Sequence, residues 1–202
     1  MKIAIIGAGN IGQTLGRKWS AADHSVQYGV RAPADAKFDA LRAEVGATAV
    51  VDVAAAIDAA EVVVLAVPGA AVADVAAEHG EGLAGKVVLD TTNNLRGATL
   101  HNVDILAARA PGAIQVRAFS TLGWENFAEP AIDGVQIDLF YCGDPAAREL
   151  AEQLIADSGL RPVYVGGLDA AATVDGVARL WFALAFGQGR GRRLAFKLLA
   201  EQ

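Results

Sequence analysis

A chain of 202 residues, 53% apolar and 20% charged, can bury a core of its own without a structural metal, and its single cysteine, Cys142, excludes an internal disulfide. A formal charge of −6 disfavours general affinity for nucleic acid or anionic membranes and leaves small molecules as the expected partners. Strictly apolar runs such as Val62 to Val67 fall far short of the roughly 20 residues that cross a bilayer, so no membrane span is expected; the run after Met1-Lys2 ends in a glycine turn and not at a cleavage site, so the expected location is cytoplasmic.

In chain order, Lys2 to Ile6 reads as a strand, and the helix after it carries Ile11, Leu15 and Trp19 on one face. A strand at Ser25 to Tyr28, a helix at Ala36 to Val45 and a short apolar stretch at Ala49 to Val51 follow. Val53 to Ala60 reads as a helix, Val62 to Val67 as a strand stopped by Pro68-Gly69, Ala71 to Glu78 as a helix and Lys86 to Leu89 as a strand. The later elements are a helix at Val103 to Arg109, strands at Ile114 to Phe119 and Gln136 to Tyr141, a helix at Ala146 to Ser158 and a strand at Pro162 to Val165. Such alternation predicts an α/β, Rossmann-type, doubly wound and mostly parallel sheet over residues 1–167. Beyond Gly166-Gly167 the pattern turns helical, with Ala170 to Phe186, a glycine-rich break at Gly187 to Gly191 and a helix at Arg192 to Ala200. Residues 168–202 are therefore expected to form a small C-terminal helical lobe.

Gly7-Ala8-Gly9-Asn10-Ile11-Gly12 fits G-x-G-x-x-G between a strand and an amphipathic helix, the setting that pyrophosphate binding requires. The first glycine permits the turn, the second lets the backbone approach the anion and the third lets helix pack on strand. Free N–H groups at the helix start, those of Asn10 and Ile11 among them, then face the phosphates. An NAD enzyme usually presents an acid at the end of the second strand; this chain reads Tyr28-Gly29-Val30-Arg31, so NADP(H) is the expected cofactor, with Arg31 on the 2′-phosphate. The plain alternative for Arg31 is a solvated arginine; Lys37, on a helix, either adds charge there or is simply solvated.

Ala66-Val67-Pro68 falls at the carboxyl end of the fourth strand, where the ligand crevice of such sheets lies. Asp90 to Asn94 and Ser120-Thr121 fall on the same edge. From these clusters Asn93, Ser120 and Thr121 are taken as substrate-side candidates, against the plain reading of ordinary turn chemistry. His24, His79 and His101 lack metal-ligand spacing and read as exposed, so no metal is assigned. Cys142 lies in an apolar stretch and reads as a buried, inert thiol. Arg190, Arg192, Arg193 and Lys197 read as a solvated helix face, with contact to an acidic coenzyme tail or a partner subunit as the lesser possibility.

The sequence resembles the NADPH-dependent reductases of the deazaflavin coenzyme F-420, the F-420:NADP oxidoreductase family. The likeness rests on Gly7 to Gly12, Gly29-Val30-Arg31, Ala66-Val67-Pro68, Gln115 to Thr121, Tyr141 to Asp144, Gly159 to Pro162 and the closing 187–199 region. Two positions depart from that family's pattern: Val30 stands where a serine often helps hold the 2′-phosphate, and Ser120 where a histidine or asparagine is familiar. The resemblance implies that the tail closes over the nicotinamide, that a second redox partner, coenzyme F-420 or a flavin, sits in the cleft, and that the chain forms homodimers. The expected activity is hydride transfer between NADPH and a flavin-like acceptor, positioned by residues such as Pro68, Asn93, Ser120 and Thr121, with no catalytic acid or base assigned. The alternatives are a reductase of a small imine, a carbonyl or a metal chelate, and a noncatalytic NADP(H)-sensing module.

Overall fold

The computed structural model describes residues 1–201. Its first half repeats a strand-then-helix unit: β1 (Lys2–Ile6), α1 (Asn10–Ala21), β2 (Ser25–Gly29), α2 (Asp39–Val45), β3 (Val50–Val51), α3 (Val53–Ala59), β4 (Val62–Leu65), α4 (Val72–His79) and β5 (Val87–Asp90). The second half continues with α5 (Val103–Arg109), β6 (Ile114–Arg117), α6 (Glu125–Ala128), the hairpin strands β7 (Ala131–Ile132) and β8 (Val135–Gln136), β9 (Asp138–Gly143), α7 (Arg148–Asp157), β10 (Arg161–Gly166) and α8 (Ala171–Phe182). Eight strands form one sheet in the order β10-β9-β6-β5-β4-β1-β2-β3. β1 to β6 run parallel, which confirms the Rossmann-type α/β expectation, while β9 pairs antiparallel with β6 and carries β10 parallel to itself.

The parallel strands are apolar on both faces because helices cover both. Alternate residues of β1 and β4 divide between two cores: Ile3, Ile5, Val62 and Val64 pack with Leu15, Trp19 and Tyr28, whereas Ala4, Ile6, Val63 and Leu65 pack with Ile57, Val72 and Leu106. Asp52 caps α3 by accepting the Ala55 N–H at 2.9 Å. The β7–β8 hairpin turns through Asp133 and Gly134, both at positive φ, as a two-residue connection requires. Trp19 joins α1 to α7 by donating its indole N–H to the Leu154 carbonyl at 2.9 Å.

One expectation about the C-terminal segment is corrected. The helix expected at Arg192 to Ala200 does not form; after α8 the chain makes a π-helical turn, Ala183–Gly187, and residues 192–200 run without regular structure. Helix formers such as Leu198 and Leu199 are present, but hydrogen bonds to the body of the protein, described below, replace the helical ladder. The helical stretch Leu168–Gly187, which contains α8, is long and apolar enough to cross a membrane by length and composition alone. One face of it, including Val174, Ala178, Trp181 and Ala185, is packed into the protein.

Candidate functional site

The end of β1 is shaped by three glycines with different tasks. Gly7 turns the chain at φ +105°, and a Cβ there would lie 2.5 Å from the Ala66 carbonyl oxygen. Gly12 lies in the first turn of α1, where a Cβ would stand 2.3 Å from the Gly7 carbonyl oxygen, so helix and turn touch backbone to backbone. Gly9 is exposed and a Cβ on it would meet nothing within 4 Å. Internal packing thus accounts for the first and third glycines and leaves the second unexplained, which is where a pyrophosphate approaches the backbone in this fold. Gly9 is the N-cap of α1 and supplies no side-chain cap. The first-turn N–H groups, those of Asn10 and Ile11 among them, have no acceptor inside the helix. Gln13 steadies the loop from behind, its side-chain amide donating to the Ala8 carbonyl at 2.8 Å.

Beside this loop β2 ends at Gly29, whose carbonyl accepts the Gly7 N–H at 3.0 Å. Val30 is 6% exposed, packs in the core and donates its N–H to the Val51 carbonyl, so its side chain faces away from any ligand on the rim. Arg31 is exposed and makes no ion pair or hydrogen bond within the protein among the described residues. Lys37, by contrast, pairs with Asp35 at 3.0 Å. Arg31 is therefore the uncommitted cation at this edge.

On the other side three carboxyl-end loops meet. Ala66 donates its N–H to the Ile6 carbonyl, Val67 lies against Gly7, and Pro68 is exposed. Gly69 abuts the next loop so closely that a Cβ would be 2.5 Å from the Asn93 carbonyl. Asn93 donates from its amide to the Ser120 carbonyl at 2.9 Å and accepts from Arg117 at 2.9 Å, so both ends of its amide hold loops together. Ser120 and Thr121 are buried, and their hydroxyls have no partner in the protein. Phe119, just before them, sits at φ +58°, a conformation that costs a non-glycine about 1–3 kcal/mol. Edge-on contacts with Trp19 and Phe127, at ring-centroid distances of 5.8 and 5.4 Å, hold it there.

Comparison with known proteins matches this architecture. Residues 2–94, just under half of the chain, match the family described as NADP oxidoreductase, coenzyme F420-dependent. This N-terminal half is therefore similar to that family. Over the whole chain, a candidate F420-dependent NADP-reductase from Arthrobacter sp. FB24 is similar at 25% identity and a TM-score of 0.83, covering 99% of this chain and 100% of that one. A hypothetical protein from Sinorhizobium meliloti is similar at 28% identity and a TM-score of 0.66, covering 85% and 88%. An imine reductase from Bacillus cereus shares the fold at 20% identity and a TM-score of 0.67; 93% of this chain spans 62% of that one. No curated protein matches.

Near these loops, groups able to give or take a proton at neutral pH are scarce. Burial would raise the pKa of Glu125, but the hydrogen bond from Arg192 outweighs it and holds this carboxylate below its usual range. Burial pushes the Cys142 thiol up to about 11, which agrees with an inert cysteine. The histidines are not exposed as the sequence suggested: His24 lies between the Asp157 carboxylate at 2.8 Å and the N-terminal amine at 3.2 Å, and His79 and His101 are half-buried. Among the described residues no group of three or more His, Cys, Asp or Glu is arranged to hold a metal ion.

The basic patch is not a solvated helix face. Arg192 donates to Glu125 at 2.5 Å, Arg193 donates to the carbonyls of Glu129 and Ala131 at 2.8 Å, and Lys197 donates to Asp138 at 2.8 Å. Asp138, whose side chain is fully buried, also accepts from Arg161 and from the Leu198 N–H. These charges pin residues 192–198 as an extended strap across α6, the hairpin and β9; Arg190 stays exposed.

Sequence reasoning missed the cluster behind the loops that follow β5 and β6. Arg117 on β6, 1% exposed, donates through Nε to the Asp175 carboxylate of α8 at 2.8 Å and through Nη1 to the Thr92 carbonyl at 2.8 Å, with Asp90 at 3.4 Å. The signal was present: an arginine inside the strand Ile114 to Phe119 and an aspartate inside the apolar helix at Ala171 to Phe182 are charges where packing admits only paired ones.

Proposed function

We propose that this chain, an NADP-dependent oxidoreductase by the domain it carries, passes hydride between the nicotinamide of NADP(H) and a flavin-like acceptor, with coenzyme F-420 the first candidate. The observation that carries the reading is the open space beside Gly9, between two glycines that packing alone explains, at the head of a helix with unpaired N–H groups. The residues fit the cofactor: Gly7 to Gly12 would hold the pyrophosphate, Arg31 the 2′-phosphate, and Ala66 to Pro68 the nicotinamide ribose. Bound there, NADP(H) supplies the hydride. What the protein adds is proximity and orientation, and the buried hydroxyls of Ser120 and Thr121, unpartnered in the protein, are left to bond the reactants once the loops around them shift. Hydride transfer between two redox cofactors needs no catalytic acid from the protein, since the proton taken up with the hydride can come from solvent.

A small imine or carbonyl would instead call for a proton donor beside the nicotinamide. A homodimer joined through α8 and the π-helical turn after it is part of the same proposal, since they leave Leu180 and Phe186 exposed; light scattering reads the mass. The activity test mixes protein and NADPH with F-420, FMN, FAD, a cyclic imine or a ferric chelate and follows the nicotinamide absorbance. Loss of absorbance with F-420 or a flavin is expected. Turnover of the imine or chelate alone would replace the reading, and binding without any turnover would favour an NADP(H) sensor.

A further inference from the structure

The segment between β5 and α5 is a closed loop whose two ends are held by one buried charge cluster. Its neck is tied by Asn94 N–H to the Leu100 carbonyl at 2.8 Å, and its tip carries Leu95, 70% exposed, and the exposed Arg96. At the start of the loop, Arg117 donates to the Thr92 carbonyl and to Asn93 Oδ1, while Asp90 Oδ1 accepts from the Thr92 N–H and hydroxyl at 2.9 and 2.6 Å. At its end, Asp175 Oδ2 accepts the Leu100 and His101 N–H groups, each at 3.0 Å. Asn102 ties the two ends, donating its side-chain amide to Thr92 Oγ1 at 2.9 Å. Arg117 bonded to Asp175 is the keystone, and Asp175 belongs to α8.

A buried ion pair adds little stability over apolar packing of the same volume, so fold stability alone is a weak reason for this cluster. Its directional bonds do give a fixed geometry, and that geometry reaches the rim: Asn93 touches Gly69 and holds the Ser120 carbonyl. We infer that Arg117 and Asp175 are positioning residues for the acceptor half of the site, fixing loop 94–100 as a wall against the acceptor and locking it to α8. The inference rests on the hydride-transfer reading above, and the nucleotide loop at Gly7 to Gly12 has no share in this clamp.

Two measurements test it. In Arg117→Lys, which keeps the charge but not the fork, the acceptor KM should rise and kcat fall by about tenfold or more, while the NADPH Kd stays within about twofold of wild type. Equal weakening of nucleotide and acceptor, or no change in either acceptor constant, would overturn the inference. The second is hydrogen exchange on the unaltered protein, which needs neither an acceptor nor a variant that folds. The Leu100 and His101 amides should exchange as slowly as those of β5 and β6 although residues 95–99 exchange fast; rapid exchange at both would defeat the clamp. A wild-type protein that turns over no acceptor yet protects these two amides would remove the hydride-transfer reading and leave a clamp without an acceptor to position.

Discussion

Replacing Gly9 and Gly12 by alanine separates a glycine kept for a ligand from one kept for the fold. At Gly9 the backbone sits at φ −82°, which alanine adopts freely, and the added methyl meets no protein atom within 4 Å. Reduced freedom of the unfolded chain favours the alanine by about 0.4–1 kcal/mol, while alanine is a poorer N-cap than glycine by a similar amount, so the two offset and Tm should move by no more than about 3 °C. On the proposed reading, the same methyl would take the space of a phosphate oxygen and its hydrogen bonds. Losing about 1.5–3 kcal/mol of charge-assisted contact corresponds to a roughly 10- to 100-fold weaker Kd for NADPH. Gly12→Ala should do the reverse in order of cause: its methyl would stand 2.3 Å from the Gly7 carbonyl oxygen and 3.0 Å from Ile5, forcing helix from strand. Such overpacking costs about 1–3 kcal/mol or more, several degrees in Tm. Thermal melts and calorimetric titrations of both variants make the comparison. A Gly9→Ala protein that melts as low as Gly12→Ala, or that binds NADPH as wild type does, would refute the assignment of the open space to a pyrophosphate.

Other outcomes follow from the strap and the buried thiol. Burial opposes ionisation of Asp138, but hydrogen bonds from Arg161, Lys197 and the Leu198 N–H outweigh it and depress its pKa, so its contribution to stability is present above the ordinary aspartate range and lost as pH falls through the lowered value. Residues 192–198 should stay protected from protease at pH 6 and be released in acid below about pH 4; an acid-insensitive strap would contradict this. Asp138→Asn removes a buried charge whose cations are partly exposed and can rehydrate, so the cost should lie near or below the low end for a broken buried pair, about 2–3 kcal/mol, or roughly 4–12 °C in Tm. Cys142, 0% exposed with its thiol held protonated, should resist alkylation in the folded protein at pH 8 and react on unfolding; modification of the native state would show that β9 opens.

The parallel half of the fold was legible in the sequence because its strands are continuous apolar runs and its helices repeat on one face. The glycine loop was legible for a different reason, since Gly7 and Gly12 answer steric demands that no other residue meets and Gly9 completes their spacing. The expected helix at Arg192 to Ala200 failed because local propensity carries no information about Asp138 and Glu125, distant acceptors that draw the chain out straight. The antiparallel turn of β9 was equally invisible, because alternation of strand and helix fixes neither direction nor order. At the site, Arg31, Ser120 and Thr121 stand at the rim loops that sequence spacing suggested. The side chain of Val30 turns inward, and the Asn93 amide is engaged by its neighbours. The clamp of Arg117 with Asp90 and Asp175 was missed because its members are separated by 27 and 58 residues and only the folded chain brings them together.

The most direct test is calorimetric titration of wild type and Arg31→Ala with NADPH and with NADH. Two charge-assisted bonds to the 2′-phosphate, together worth about 1.5–3 kcal/mol, predict that wild type prefers NADPH by roughly 10- to 100-fold and that the variant loses that preference with its NADH affinity unchanged. Equal affinities for both nucleotides in wild type, or no heat with either, would contradict the account.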